Sequence, residues 1–387
     1  MRRETLANAV RGWRWLAPLA ARSLFPRRGA DNPSGETHLI LAIADHFEPD
    51  AGDVPAEVAS ARVEHWVREY PRAFDGFRDA DGRPPRHTFF YPVETYNPDH
   101  LDALAGLCRQ GFGEVEIHLH HDGDTSESLH QRLTDAARLL AGCHGLLARN
   151  RDTGAIAFGF VHGNWALNNA RADGRWCGVN DEIRVLRETG CYADFTYPSA
   201  PSPTQPPTIN RLYHASSHPC HPRGHDHGVG VGIGPAPAGS LLMVPGPLLL
   251  SYPKGARRAF PRLENGCIQT SQPATEERVN LWIKAGVRVA ARPDWWFVKL
   301  HSHGAPERDR DALLGPLMTR FHRDLARRTL EDPTFFIHYV SAREMVNLVI
   351  AASSGWRGSV AEARDFALDW NGGECRSQVH SEREINA

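Results

Sequence analysis

A dense cluster of metal-binding residue types lies near the middle of the sequence. The segment 118–124 contains His118, His120, His121, Asp122 and Asp124, directly after the alternating run at 114–117. Residues two apart in a strand share a face, so His118 and His120 are predicted to point the same way. Imidazole and carboxylate at this density favour a divalent-metal site over the alternative, a polar loop that contains a helix cap.

Polar groups of the same kind follow three other apolar runs. Asp45 and His46 follow the run at 37–44, the His162-Gly163-Asn164 segment follows 155–161, and the His301-Ser302-His303 segment follows 295–300. The carboxyl ends of parallel strands meet at one face of a sheet or barrel, so these groups are predicted to converge. Each also has a simpler explanation, since Asp124 could cap a helix, His162 could be a core histidine, and Asp45 with His46 could form a turn.

The elements that would position these residues alternate between strands and helices. Helical spacing marks 55–71 and 126–149, Asn97 is placed to cap a helix that ends before Gly111, and Ser341 with Glu344 forms a capping box. Strand, polar tip and helix repeat about four times, which predicts parallel strands with helical crossovers in an α/β barrel or a doubly wound sheet. The Pro-, Gly-, Ser- and His-rich stretch 198–240 interrupts this rhythm as a long insertion.

Composition excludes several classes of protein. The chain has 387 residues, 41% of them hydrophobic and 23% charged, with a net charge of -2, which gives no electrostatic basis for binding nucleic acid. The seven cysteines form no CxxC pair and suggest no disulfide framework, which fits a reducing compartment. No apolar stretch is long enough for a membrane span, so a cytoplasmic location is expected.

The N-terminal region is basic and carries two tryptophans, Trp13 and Trp15. Its apolar run at 15–21 is interrupted by Pro18 and is short for a signal sequence. A basic segment with tryptophans can contact an anionic membrane surface peripherally, here the inner face of a membrane. Packing on the domain, or disorder, is the alternative, and the sequence gives both equal weight.

The order of these motifs resembles the polysaccharide deacetylase superfamily, which has the NodB-like fold. The resemblance covers roughly residues 38–345, and its ordered series is more specific than any single motif. Counterparts of the family's motifs stand at Ile43-Ala44-Asp45-His46, His87-Thr88-Phe89-Phe90, 113–124, Val161-His162-Gly163-Asn164-Trp165, 186–194 and Leu300-His301.

The sequence also departs from the family's pattern. The second Asp of the first motif, a metal ligand, is His46 here; Asp124 stands where the second metal-binding His is expected; and the arginine–proline motif is missing. The chain therefore resembles a divergent branch, associated with surface-polysaccharide biosynthesis.

The resemblance implies a single deformed (β/α) barrel of the NodB-like glycoside hydrolase/deacetylase type over residues 37–352, including the insertion at 198–240. A basic extension at 1–36 would precede the barrel, and a polar tail at 353–387 would follow it. The implied activity is metal-dependent removal of N-acetyl groups from a sugar or polysaccharide precursor.

The resemblance also assigns roles to individual residues. Zinc would bind among His46, His120 and Asp124, with His118 as the substitute ligand and His121 nearby. Asp45 would take a proton from water, His301 would protonate the leaving amine, and Asp194 would orient His301. The residues assigned to the sugar site are His162, Asn164, Trp165, Trp176 and the loop around His225.

Two other functions fit the same residues. One is another barrel metallohydrolase, of the phosphoesterase or amidohydrolase type, although those folds carry His-x-His on the first strand rather than the third. The other is a non-catalytic glycan-binding protein, which His46 in place of Asp favours and which the presence of both Asp45 and His301 opposes.

Overall fold

The apolar runs of the sequence form the strands of one large sheet, and the amphipathic stretches between them form helices. The structure is a computed structural model that describes residues 14–22, 32, 34–252 and 261–370. Its strands are β1 Thr37–His46, β2 His87–Pro92, β3 Gly113–Leu119, β4 Ala148–Asn150, β5 Ile156–His162, β6 Cys191–Asp194, β7 Tyr213–Ala215, β8 Val229–Gly230, β9 Leu241–Met243, β10 Leu249–Ser251, β11 Arg262–Glu264, β12 Trp295–Ser302, β13 Phe335–Tyr339 and β14 Leu368–Asp369.

The helices follow the strands in the order that crossover connections require. They are α1 at residues 14–22, α2 Ala56–Phe74, α3 Pro98–Arg109, α4 Ser126–Cys143, α5 Glu182–Glu188, α6 Glu276–Ala285, α7 Glu307–Leu314, α8 Pro316–Glu331, α9 Ala342–Ser353 and α10 Val360–Ala363. Among the described residues, no helix has both the length and the apolar character needed to cross a bilayer.

The fold is a mixed α/β arrangement around a mostly parallel sheet, as predicted. In the described part of the chain, twelve strands share this sheet, whose main path runs β12-β1-β2-β3-β5-β6-β9-β7-β8. Strand β13 also pairs with β1, through residues 37–41, while β2 pairs with residues 44–46. The first strand therefore lies one place in from the β12 end of the sheet, and its carboxyl end is flanked by β12 and β2.

Side chains of β1 alternate between two apolar clusters. Leu39, Leu41 and Ile43 belong to the cluster that includes the helical residues of α2 and α3. Ile40, Ala42 and Ala44 belong to a second cluster, which includes inward residues of other strands and α9. We call these the helix face and the inner face of the sheet.

Buried charges close the amino-terminal end of the inner face. Arg343 of α9 bonds Glu114 of β3 at 2.9 Å, and Arg86 bonds Glu344 at 2.5 Å. Arg364, in the region predicted as a polar tail, is 1% exposed and bonds both Asp79 and Asp81. Such a network is costly to break, because removing one partner leaves another charge buried and unpaired.

Residues 353–370 are thus folded onto the domain, while 371–387 lie outside the described residues.

Local signals explain several element ends. The Asn97 side chain accepts hydrogen bonds from the backbone of Asp99 and His100, and the predicted capping box of Ser341 and Glu344 is formed. The cap of α4 is Thr125 rather than Asp124. Gly315, directly before Pro316, separates α7 from α8.

Candidate metal centre

The carboxyl ends of β1, β3 and β12 bring histidines together on the inner face of the sheet. His46 ends β1, His118 lies near the end of β3, and His303 follows β12. The ring centroid of His46 lies 4.9 Å from that of His118 and 4.7 Å from that of His303. His118 and His120, predicted to share a face, have ring centroids 4.6 Å apart.

Glu48 lies among these imidazoles, although the sequence-based ligand set did not include it. Its Oε1 is 3.2 Å from His118 Nε2 and 3.9 Å from His120 Nε2. Burial works against the charged carboxylate, but His118, His303 and His120 outweigh burial and lower the pKa of Glu48. The spacing of two residues from His46 is the signal that could have identified Glu48.

Several nitrogens in this cluster are buried without a hydrogen bond. These nitrogens are Nδ1 of His46 and both ring nitrogens of His118. Nε2 of His118 lies 3.2 Å from Glu48 Oε1, but this contact does not have the geometry of a hydrogen bond. Burial, with His303 and His118 nearby, holds the pKa of His46 well below its usual value, so its ring is neutral at pH 7. Unsatisfied buried nitrogens are rare in native proteins, and a bound ion is one accepted explanation. The donor set of imidazole and carboxylate fits a divalent cation such as zinc.

Glu94 holds His120 in the tautomer that a metal ligand needs. The His120 Nδ1–H donates to Glu94 Oε1 at 2.5 Å, and the His120 backbone N–H donates to the same oxygen at 3.0 Å. Burial opposes the charged form of His120, but Glu94 and then Glu48 raise its pKa. When this ring is neutral, its Nε2 carries the lone pair, on the side of Glu48. Histidines that bind metals commonly donate their other N–H to a carboxylate in this way.

Asp45 points to the opposite side of the sheet from His46, as neighbouring strand residues must. Its Oδ2 accepts from His87 Nε2 at 3.0 Å and its Oδ1 from the Gly304 backbone N–H at 2.7 Å. The side chain is fully buried beside Trp66 and His87, on the helix face. The structure thus does not place Asp45 in the cluster where a base was expected.

A second buried cluster forms around His121 and Glu182. Glu182 Oε1 lies 3.1 Å from His121 Nε2, and Oε2 lies 3.2 Å from Cys177 Sγ, which donates to it. Asp124 Oδ2 lies 3.1 Å from His121 Nδ1 and accepts from Arg132 at 2.7 Å. Asp124, expected beside His46 and His120, therefore belongs to this second cluster.

Both clusters could hold a metal ion, since each brings three or more ligand atoms close together: His46, Glu48 and His118 in the first, and His121, His162, Cys177 and Glu182 in the second. The hydrogen bonds favour the first. In the second, His162 Nδ1 accepts from the backbone N–H groups of Asn164 and Ala166 at 3.2 and 3.4 Å. That bonding keeps the proton on Nε2, the nitrogen that faces Glu182 at 3.9 Å, so this nitrogen has no lone pair for a cation.

The charges of the second cluster also fit a network of hydrogen bonds and ion pairs rather than a metal site. Burial opposes the charged form of His121, but Asp124 and Glu182 raise its pKa to about 9. Burial likewise opposes ionisation of Glu182, but His162 and His121 lower its pKa to about 2. At neutral pH an imidazolium thus lies between two carboxylates. A third group of ligand atoms, at Asp79, Asp81 and His338, already has the guanidinium of Arg364 as its cation.

A cleft of about 610 Å³ opens beside the first cluster. His301, His303, Asn164 and Trp165 line it, and so does Trp176. Trp165 and Trp176 adopt left-handed backbone conformations with φ of 52° and 66°, which bulky residues rarely do. Strain of this kind concentrates at functional sites.

The other residues assigned to the site have structural partners. His162 is fully buried and shapes the turn that carries Asn164 and Trp165. His225 is buried against Tyr197, with ring centroids 4.9 Å apart, and does not line the cleft. The insertion contributes Pro198, Ser199 and neighbouring residues to the cleft instead.

Asp194 and His301 do not make the expected contact. Asp194 accepts from the Thr196 hydroxyl at 2.7 Å and from the Thr196 backbone N–H at 3.1 Å, and burial raises its pKa to about 7. The Nδ1 of His301 is buried without a hydrogen-bond partner. Burial, then Lys299 and His303, keep the pKa of His301 well below its usual value, so this ring is neutral at pH 7.

Comparison of the sequence with models of known protein families gave no match, and neither did comparison with curated proteins.

Proposed function

We propose that the protein is a metal-dependent hydrolase that removes N-acetyl groups from a sugar or polysaccharide precursor. The observation that carries the proposal is the convergence of His46, Glu48 and His118. The ring of His46 lies against those of His303 and Trp165, which line a cleft that contains two tryptophans. Aromatic faces together with amide and hydroxyl side chains are suited to sugar rings, which have apolar faces and polar edges. In the cleft these polar groups include Asn164, Asn265 and Gln269.

The proposed fold is the deformed (β/α) barrel of the NodB type, and contacts across the sheet support it. Lys299 of β12 donates to the backbone carbonyls of Phe195 and Tyr197 at 2.7 and 2.6 Å, directly after β6. Strands β12 and β6 are five places apart along the sheet, so only strong curvature brings them this close. Residues 266 and 268 hydrogen-bond to His301 on the free edge of β12.

A divalent ion in this site would polarise an amide carbonyl and lower the pKa of a water molecule toward ~7. The residues of the chain then supply positioning and proton transfer. Glu48 would hold the ion through its carboxylate, and His46 and His118 would hold it through ring nitrogens. Trp165, whose ring centroid lies 5.6 Å from that of His46, would hold the sugar beside them.

Proton transfer is assigned to His301, because its ring lines the cleft on the same face as His46. As a neutral base it would accept a proton from the attacking water. The resulting imidazolium would give that proton to the leaving amine nitrogen as the carbon–nitrogen bond breaks, which balances the reaction to acetic acid and a free amine. Asp45, with both oxygens already bonded, would act indirectly by fixing the backbone at Gly304.

Metal content and acetate release test the proposal together. The purified protein is expected to hold a divalent metal and to release acetate from N-acetylated glycans. Glu48→Gln should lose metal and activity together. His301→Ala should keep the metal while acetate release falls by ~10²–10⁴-fold.

The exposed His130 provides the matched control, since His130→Ala removes an imidazole far from this chemistry and should change neither quantity. A protein that binds no metal, or one that hydrolyses only sugar phosphates, would overturn the proposal. Thermal melting of each variant shows whether a loss reflects unfolding.

A further inference from the structure

The cluster around Glu48 holds more ligands than one catalytic ion uses. Four imidazoles form a continuous series, with ring centroids 4.6 Å apart for His120 and His118, 4.9 Å for His118 and His46, and 4.7 Å for His46 and His303. Catalytic zinc sites typically use three protein ligands and leave one position open. Glu48 and four histidines make five, which leaves two imidazoles in excess.

Glu48 occupies the position of a shared ligand. Its Oε1 approaches both His118 and His120, at 3.2 and 3.9 Å. Ligand atoms of His46, Glu48 and His118 all lie within 4.8 Å of one another, so Glu48 is close to a ring from each half of the series. A carboxylate has two oxygens and can bind one cation through each of them.

The two outer histidines lie at the ends of this series. Glu94 accepts the Nδ1 proton of His120, so in the neutral ring Nε2 is the nitrogen that can bind a cation. His303 lies against both His46 and Trp165, with ring centroids 4.7 and 5.6 Å away.

We propose that this site is a two-metal centre, in which His118 and His120 hold one ion, His46 and His303 hold the other, and Glu48 bridges them. The inference rests on the proposed metal-dependent function and specifies its cofactor. Paired ions in hydrolases lie ~3.5–4 Å apart and together stabilise the charge that develops on the reacting oxygens.

Metal stoichiometry of the full chain tests this assignment. The protein is stripped, reloaded with Mn²⁺, dialysed, and analysed by elemental analysis and by electron paramagnetic resonance. Two ions per chain with the signature of a spin-coupled pair are expected. His120→Ala and His303→Ala should each retain one uncoupled ion, whereas His130→Ala should retain two.

The second cluster must be tested separately, because it also contains potential ligands. Cys177→Ser removes its only thiol, and Glu182→Gln removes its central carboxylate, and both variants should keep two coupled ions. If either variant drops to one ion, the second metal belongs to that cluster and the proposal is overturned.

The remaining outcomes separate this inference from the proposed function. One ion in the unaltered protein, or two ions without spin coupling, rejects the two-metal centre and leaves a metal-dependent hydrolase intact. No ion at all rejects both. If His303→Ala does not fold, as judged by its melting curve, His303→Asn gives the same comparison with a smaller loss of volume.

Discussion

The position of the ring proton decides which histidines of this protein can bind a cation. His120 follows β3, and His162 is the last residue of the neighbouring strand β5. In the structure, Nδ1 of His120 donates to Glu94, whereas Nδ1 of His162 accepts from two backbone N–H groups. The first arrangement leaves Nε2 able to bind a metal, and the second does not.

Replacement of Glu94 by Gln tests this tautomer argument. Glu94→Gln removes the charge that favours the Nδ1–H form and weakens a charge-assisted hydrogen bond of 2.5 Å. Metal affinity should fall ~10–100-fold, as for other carboxylates that orient a metal-binding histidine. Calorimetric titration of the metal-free protein with Zn²⁺ measures the change. The exposed Glu127 supplies the control, since Glu127→Gln should leave the affinity unchanged.

The sequence identified the region of the site better than its ligand set. The rule that residues two apart share a face placed His118 beside His120, and the structure brings their rings together. The same rule separates Asp45 from His46 and pairs His46 with Glu48, but the family resemblance drew attention to Asp45 and His46 instead. Glu94 carried no signal, because it acts only through its contact with a residue 26 positions away.

At the scale of elements, the His121 network joins the end of β3 to the segment that leads from β5 to α5. Glu182 at the start of α5 contacts His121, and its Oε2 accepts from the Asn168 backbone N–H. Trp165 and Trp176 lie in the same connecting segment and line the cleft. The network therefore fixes one wall of the cleft relative to the strand that carries His118.

This network predicts a particular dependence of stability on pH. The pKa of His121 is raised to about 9 in the folded protein, so its stabilising contribution is complete below the unfolded value of ~6.5 and is lost as pH rises through 9. The pKa of Glu182 is lowered to about 2, so its contribution is present above ~4.5 and is lost as pH falls toward 2. The two contributions are therefore complete together only between these unfolded values.

His121→Gln should consequently destabilise the protein most near pH 5–6.5, and by progressively less as pH approaches 9. Urea denaturation of wild type and variant across this range gives the difference in unfolding free energy. His130→Gln, at an exposed site, should show no such trend. A destabilisation that stays constant from pH 6 to 9 would mean that His121 is not held as an imidazolium.

Most elements were predictable because each has a local cause. Apolar runs of strand length predicted β1, β5 and β12, and capping residues predicted the starts of α3 and α9. The insertion at 198–240 was harder to interpret, because β7 has three residues and β8 only two. Strands this short show no periodicity, and their pairing depends on β9, which comes later in the chain.

At the scale of the whole molecule, the two ends of the sheet differ in how their buried polar groups are paired. Buried ion pairs between Arg343, Arg86 and their carboxylates close the amino-terminal end. The carboxyl end keeps histidines with unsatisfied nitrogens beside an open cleft. Long-range contacts of this kind cannot be read from sequence, because charged residues such as Glu114 are indistinguishable from surface charges until the fold buries them.

The N-terminal segment extends this organisation beyond the sheet. In α1, Trp15 and Leu19 are 5% and 1% exposed and pack against Ala200, Ile209 and Leu248. Ala200 also lines the cleft, so α1 supports the cleft wall from behind. Residues 14–22 thus pack on the domain, which is one of the alternatives that the sequence left open for this region. Trp13 lies outside the described residues.

Removal of the Trp15 side chain should therefore loosen the cleft wall without disturbing the metal cluster. A buried Trp→Ala change typically costs ~3–5 kcal/mol, and here the loss should be local because α1 contacts the insertion rather than the main sheet. Trp15→Ala is expected to accelerate amide hydrogen exchange around residues 199–210 while exchange in β1 and β3 stays slow. Leu16→Ala, at a neighbouring side chain that is 36% exposed, is the matched control and should change neither region. Unchanged exchange at 199–210 in Trp15→Ala would show that the cleft wall is stable without α1.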